Sequence, residues 1–407
     1  MSFSVFIPTL EIGPPYTGPM VGLRRYAYSI VHSLSNYNIE VHVVSTSKLP
    51  PNDQLLEKEN VYFHYVPTKI SSRGVYSTKT HMFAKNHIKF SKDAFKIFEQ
   101  LHYKNPFDLI HSTELSVYAF AQAKKRDRLN IPLLMSAHGP VTTGTLKSKL
   151  FVLRRYRRLL RKTIKYCDAI ISSSFSLLNK AGKLPDTLKS KVYIIPAPLN
   201  CKIYSQIPKI EDIEGFRDKY HWKQGNHTVL LLGPFIPRKL QLDVVDFFPD
   251  ILAEEPKTMF LVIGNGPLLP KIKEKIVDYE IDESTVITGY VNDKELLIAY
   301  NISDLLLYPA EEGSFGTPIV EAMASGIPVI TGDAPPMNEM LPPGSGWLFP
   351  LNRKDILVDI VAKILKSKEE SLQFAFETKK HALKNYDYSV VGKKLIKTYK
   401  MIVKDST

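Results

Sequence analysis

Short runs of β-branched and aliphatic residues recur along this chain, separated by longer amphipathic stretches. In the first half they are Phe3–Ile7, Val41–Ser45, Val61–Val66, Leu109–His111, Leu133–Ala137, Ala169–Ser173 and Val192–Ile195. In the second half they are Val229–Leu232, Phe260–Ile263, Val286–Thr288, Leu305–Tyr308 and Val329–Thr331. Many of the intervening stretches are long enough for a helix. Strand, helix, strand at this rhythm predicts an α/β fold built on parallel sheets with helices on both faces. The pattern starts twice. It breaks at Pro196-Ala197-Pro198, passes through a polar connector, and resumes with a buried strand at Val229. Two doubly wound domains are therefore expected, over residues 1–198 and 199–385. In Ser389–Lys404, Val390, Val391, Leu395, Ile396 and Tyr399 fall at helical spacing. They predict a terminal helix within 386–407 that packs back on the body, towards the N-terminal domain. In such sheets ligands bind at the carboxyl ends of the strands. The cleft between two facing sheets is the expected active site.

Composition narrows the functional classes. With 407 residues, 44% hydrophobic and 23% charged, the chain is not wholly disordered. No apolar run approaches the roughly 18 residues of a spanning helix. Met1–Leu10 reads as a first strand rather than a signal peptide. Cys167 and Cys201 fit neither a metal spacing nor a disulfide framework, which points to a reducing, cytoplasmic compartment. Charge is uneven: residues 1–200 carry 29 basic and 12 acidic side chains, the remainder 25 and 29. The first half thus expects an anionic partner. No acidic residue occurs between Arg128 and Cys167. On a helix over 147–167, Leu150, Leu153, Tyr156, Leu160 and Ile164 line one face. Arg154, Arg155, Arg158, Arg161, Lys162 and Lys165 fall largely on the other. Such a helix either packs on the domain with its charges solvated, or lies on an anionic membrane or acceptor surface. Near an anionic bilayer each basic residue is worth about 1 kcal/mol.

The richest segment runs from Val286 to Ile330. A strand ends at Tyr308-Pro309, a small loop follows over Glu311 to Thr317, and a helix starts near Pro318. Proline suits a first helical turn because it lacks the N–H that would be orphaned there. Free N–H groups and the helix dipole at such a junction attract an anion. Gly313 and Gly316 allow the backbone close to a ligand. Glu321, one turn into the helix, can accept hydrogen bonds from hydroxyls. Alone, this is equally a tight turn with an exposed first-turn carboxylate.

The surrounding residues resemble the second domain of retaining, nucleotide-sugar-dependent glycosyltransferases of the GT-B fold, the group 1 or family 4 class. The resemblance is carried by Gly289, Glu295-Leu296, Ser303-Asp304, Pro309, Phe315-Gly316, Pro318, Glu321-Ala322-Met323-Ala324, Gly326 and Pro328-Val329. Leu230–Lys239 (LLLGPFIPRK) is similar to that family's donor-phosphate strand and loop, and Leu261–Pro267 (LVIGNGP) to the strand after it. Tyr193–Asn200 is similar to its domain linker, Gly22–Ser45 to its first glycine loop, helix and strand, and His138-Gly139 to its strand-end pair. There are departures. The family has two glutamates with seven residues between them; the second matches Glu321, while the first falls on Gly313, with Glu312 one position early. The family's Gly-Arg pair falls on Gly233-Pro234, so its phosphate-binding arginine is missing. Its lysine matches Lys239, with Arg238 beside it.

The resemblance implies two Rossmann-like domains facing a central cleft, the first binding the acceptor and the second the nucleotide sugar. It implies transfer of a hexose-type sugar to a glycan or lipid-linked acceptor with retention of configuration. Lys239 and Arg238 would supply charge to the diphosphate, and backbone amides around Ser314, Phe315, Gly316 and Thr317 hydrogen bonds. Each such donor lost typically costs about 3 kcal/mol of barrier. Glu321 would take the ribose hydroxyls, Glu312 would face the sugar, and His138 would contact sugar or acceptor. Gly22 would let the first helix approach the donor or acceptor. No Asp-x-Asp pair and no His/Cys cluster occurs in the sequence, so no metal or cofactor is expected, and protein cations would replace a metal clamp. The partial Gly264-Asn265-Gly266 pattern does not argue for a dinucleotide. The lost first glutamate and Pro234 leave one alternative, a degenerate GT-B protein that binds without turnover. No RNA-binding motif accompanies the basic half, so nucleic acid is not an expected partner.

Overall fold

The computed structural model describes residues 3–12, 22–67, 81–137, 158–181, 191–222, 227–311, 315–342 and 347–406. The chain divides into two units, one of Met1–Pro198 with Tyr388–Thr407, the other Leu199–Asp387.

The first unit is built on β1 (Phe3–Pro8), β2 (Ile39–Ser45), β3 (Val61–Tyr65), β4 (Leu109–Thr113), β5 (Leu133–Ala137), β6 (Ala169–Ser172) and β7 (Val192–Ile194). They form one seven-stranded sheet in the order β3-β2-β1-β4-β5-β6-β7, with every pairing parallel. Strands β4, β5 and β6 are buried at every position, and β5 and β6 are accordingly near-continuous apolar runs, while β4 carries His111, Ser112 and Thr113. Side chains alternate between the two faces. Phe6 and Ile110 enter one core with Phe90, Phe98 and Phe120. Val5, Ile7 and Leu109 enter the other, under the helix Gly22–Leu34 and the terminal helix Tyr388–Lys404. The expected terminal helix is therefore present, and it lies against the first helix. Its Gly392 is required there, because a Cβ would stand 2.5 Å from the Ser33 carbonyl oxygen.

A row of buried polar groups crosses this second core. Tyr399 Oη meets His111 Nδ1 at 2.6 Å, His111 Nε2 meets Ser136 Oγ at 2.6 Å, and Ser136 Oγ meets Tyr26 Oη at 3.0 Å. Burial pushes the Tyr26 phenol up to about 12. In the basic segment, residues 158–164 are helical. Leu160 and Ile164 enter the first core, and Arg158, Arg161, Lys162 and Lys165 are exposed. Arg154 and Arg155 lie outside the described residues.

The second unit is built on β8 (His227–Leu232), β9 (Thr258–Ile263), β10 (Thr285–Gly289), β11 (Leu305–Tyr308), β12 (Val329–Gly332) and β13 (Trp347–Phe349). Its six-stranded sheet has the order β10-β9-β8-β11-β12-β13, again wholly parallel. Strand β13 is absent from the sequence expectation; it has three residues, sits at the sheet edge, and only Phe349 is buried. From β8 the chain winds outwards through β9 and β10, then returns to β11 on the other side of β8. The direction of winding reverses between β8 and β11, which opens a crevice at their carboxyl ends. Among the described residues no helix is long and apolar enough to cross a membrane.

Candidate active site

The loops that follow β8 and β11 carry residues singled out from the sequence. After β8 the chain turns at Gly233, whose N–H donates to the Ile263 carbonyl at 3.0 Å. The loop after β9 closes on it, so that a Cβ on Gly264 would stand 1.9 Å from the Gly233 oxygen. Only glycine fits there, and Gly264 also has a φ of +146°. The Phe235 N–H then donates to Asn265 O at 2.9 Å, and the Phe235 side chain is fully buried. A single 3₁₀ turn, Pro237–Lys239, follows and ends on Leu240 in the left-handed region.

This turn buries Lys239, which is 6% exposed. Its Nζ donates to the Tyr308 hydroxyl at 2.5 Å and lies 4.7 Å from the Tyr308 ring centroid. Tyr308 is the last residue of β11, the strand beside β8. Among the described residues no carboxylate lies within 4.0 Å of that ammonium. Ring and hydroxyl give partial compensation to a charge taken out of water, through the quadrupole and one hydrogen bond. Arg238 is half-buried, and its Nε has no hydrogen-bond partner. The Arg238 carbonyl accepts the Glu311 N–H at 3.2 Å, which ties the loop after β11 to the turn after β8. Arg238 and Lys239 are thus a built corner of the crevice rather than a solvated turn.

The helix after β11 spans Thr317–Ser325, with Gly316 as its N-cap and Pro318 in its first turn. Phe315 packs on Tyr386 with ring centroids 5.7 Å apart. Two expectations for this junction need correcting. The Thr317 N–H, counted among the free amides, donates to the Phe315 carbonyl at 3.0 Å. Glu321 is not the exposed first-turn carboxylate of a plain turn: it has 0% exposure, and its two oxygens accept from Tyr204 and Tyr300, each at 2.8 Å. The two tyrosine rings meet edge to face, 5.9 Å apart. Tyr204 ends the short helix Cys201–Tyr204, so the carboxylate fastens that segment and the helix Asp293–Asn301 to the helix after β11.

The structure therefore brings together Lys239 and Arg238 in the second unit, and places Phe315, Gly316, Thr317 and Glu321 on the junction after β11 in the same unit. Gly22 opens a helix of the first unit. His138, Glu312, Gly313 and Ser314 lie outside the described residues. Tyr308, Tyr204 and Tyr300 were not anticipated. For Tyr308 a signal was present: a tyrosine at the end of a buried strand needs a partner for its hydroxyl. No group of three or more His, Cys, Asp or Glu among the described residues is placed to hold a metal ion.

Known proteins fit this arrangement. Residues 20–202 match the family described as Glycosyltransferase Family 4, and residues 212–381 match Glycosyl transferases group 1. The alpha-monoglucosyldiacylglycerol synthase of Streptococcus pneumoniae is 31% identical over 133 residues, 33% of this chain and 30% of that protein. A phosphatidyl-myo-inositol mannosyltransferase of Mycolicibacterium smegmatis is 25% identical over 281 residues, 67% of this chain and 68% of that protein. The chain thus spans less than a third of the first of these relatives. Among solved structures, Anabaena HepE in complex with UDP and glucose superposes with a TM-score of 0.71, covering 98% of this chain and 100% of that one at 16% identity. With a family 4 domain followed by a group 1 domain, each on its own parallel sheet, the chain belongs to the group 1 and family 4 glycosyltransferases of the GT-B fold.

Proposed function

We propose that this chain moves a hexose-type sugar from a nucleotide-sugar donor to a lipid-linked or glycan acceptor, with retention of anomeric configuration. The observation that carries the donor half is the buried Lys239 ammonium at the switch point of the second sheet, with a tyrosine as its recorded partner. Burying an ammonium costs several kcal/mol, on the order of the uncompensated ion penalty, unless a counter-charge offsets it. A diphosphate offers that charge. As the glycosidic bond breaks, negative charge grows on the leaving phosphate. Lys239 and Arg238 stabilise it, and the Tyr308 hydroxyl, which accepts from Lys239, can donate its own proton to a phosphoryl oxygen. Protein cations fill the role of a metal clamp, and the leaving phosphate takes the acceptor proton. His138 contacts sugar or acceptor, Glu312 faces the donor sugar, Gly313 lets the backbone approach the donor and Ser314 offers its amide to the diphosphate; these roles rest on the resemblance alone.

The acceptor half is supported by the names of the relatives, a synthase of alpha-monoglucosyldiacylglycerol and a mannosyltransferase of phosphatidyl-myo-inositol. The exposed Arg158, Arg161, Lys162 and Lys165 present a basic face suited to an anionic lipid surface. Gly313 at the place of the family's first glutamate, together with Pro234, favours a second reading, binding without turnover. Incubation with UDP-, GDP- and ADP-sugars and diacylglycerol vesicles, followed by NMR of the lipid product, separates the two. A glycolipid with the donor's anomeric configuration supports transfer with retention. An inverted product removes retention, and donor binding without product supports the second reading.

A further inference from the structure

Gln241 opens the short helix Gln241–Val245, two positions beyond Lys239, and is 1% exposed. Neither its amide oxygen nor its amide nitrogen has a hydrogen-bond partner. Among the described residues no other side chain has two such buried atoms. A primary amide offers two donors and an oxygen with two lone pairs, whichever way it turns. Leaving all of them unmet inside a protein is destabilising. A leucine of similar size would fill the place without that penalty, beside the buried Val244 and Val245.

The surroundings say what the amide faces. A Cβ on Gly233 would stand 3.1 Å from Gln241 Nε2 and 3.9 Å from Tyr308 Cε2. The amide therefore lies against the glycine that ends β8, next to the tyrosine that holds Lys239. With glycine at 233, no side chain covers it on that side. It sits at the crevice between β8 and β11, where a doubly wound sheet takes its ligand. The following residue, Pro234, has neither a backbone N–H nor a side-chain donor, and it stands where the related glycosyltransferases carry a phosphate-binding arginine.

We infer that Gln241 is a binding residue for the diphosphate of the nucleotide sugar. Its amide N–H group donates to a phosphoryl oxygen beside Lys239, and its oxygen accepts a hydroxyl of the same ligand. This rests on the donor reading above. A position that breaks the rule of buried polar satisfaction at a ligand crevice is where function opposes stability.

Calorimetric titration of the full chain with UDP, GDP and ADP, and with UMP, GMP and AMP, tests it alongside Gln241→Leu, Gln241→Glu and Lys239→Met. Gln241→Leu raises the Tm of the ligand-free protein and weakens the preferred diphosphate by about ten- to hundredfold. Gln241→Glu, similar in shape but negatively charged, weakens it further. If Gln241→Leu binds as tightly as the wild type while Lys239→Met binds more weakly, the proposal is overturned and the donor reading stands. If the wild type binds no diphosphate, or Lys239→Met binds as well as the wild type, the donor reading fails and this proposal with it. An equal loss for mono- and diphosphate puts the contact elsewhere on the nucleotide and also overturns it. Should Gln241→Leu fail to fold, Gln241→Glu decides, and unchanged affinity refutes the role.

Discussion

In the first unit Tyr399, His111, Ser136 and Tyr26 pass hydrogen bonds along an unbroken buried row, whereas in the second unit Lys239 has one tyrosine and Gln241 has no hydrogen-bond partner. Both sets sit on parallel sheets of the same winding. The members of the row satisfy one another, and the row locks the terminal helix to β4 and β5. The second set is left incomplete, and it is left so at the carboxyl ends of β8 and β11. Polar groups that satisfy one another inside a protein are scaffold. Polar groups that are buried and still short of partners mark where a ligand completes the structure. The net charge of each half does not show this distinction: the buried cation lies in the half with more acidic than basic side chains.

Glu321 allows the sharpest test of that division, because it lies in the second unit yet is satisfied like the row in the first. Glu321→Ala removes the acceptor of two tyrosine hydroxyls. At about 1.5–3 kcal/mol for each hydrogen bond to a charged group, it lowers stability by about 3–6 kcal/mol in urea denaturation. A variant of near-wild-type stability with lost nucleotide affinity would return Glu321 to the ribose and blur the comparison. Tyr399→Phe strips one end of the row and leaves His111 Nδ1 without its partner. A loss of about 1–2 kcal/mol is expected, with nucleotide affinity unchanged. A change in affinity would show that the row is part of the site.

A pH-dependent effect concerns His42, which stacks on Tyr62 and meets His64 at 3.1 Å where β2 joins the edge strand β3. Burial, with the neighbouring His64, pushes His42 from its ordinary 6.5 down to about 4, against a small opposing effect of Glu40. The unfolded chain takes up this proton near pH 6.5, the folded chain near pH 4. The stability it contributes is complete above pH 6.5 and drains as the pH falls through that window. His42→Gln therefore flattens the decline in urea midpoint between pH 6.5 and 4. An unchanged slope would assign the decline to other groups.

Much of the fold was legible because strands buried on both faces must be written in largely apolar residues, as Leu133–Ala137 and Leu305–Tyr308 are. The strand Trp347–Phe349 escaped because three residues at a sheet edge, only one of them buried, leave almost no pattern. Lys239 was legible from its spacing after β8. Its partner Tyr308 lies 69 positions away, so only the pairing of β8 with β11 brings them together. Glu321 was read as a lone carboxylate on a helix, and nothing local says that Tyr204, 117 positions earlier, closes over it. The Thr317 amide was misjudged for a shorter-range reason: the backbone turns on itself at Phe315 before the helix begins. Chemistry written in a single segment was readable, and chemistry assembled between segments was not.

The central claim is that Lys239 is buried in wait for a diphosphate, and calorimetric titration of UDP, GDP and ADP against the wild type and Lys239→Met tests it most directly. One of the three binds the wild type, Lys239→Met weakens it at least about tenfold, and the Tm of the ligand-free variant does not fall, since a buried cation with only partial compensation has been removed. Equal affinity in the two proteins, or a variant that loses stability without losing nucleotide, would contradict it.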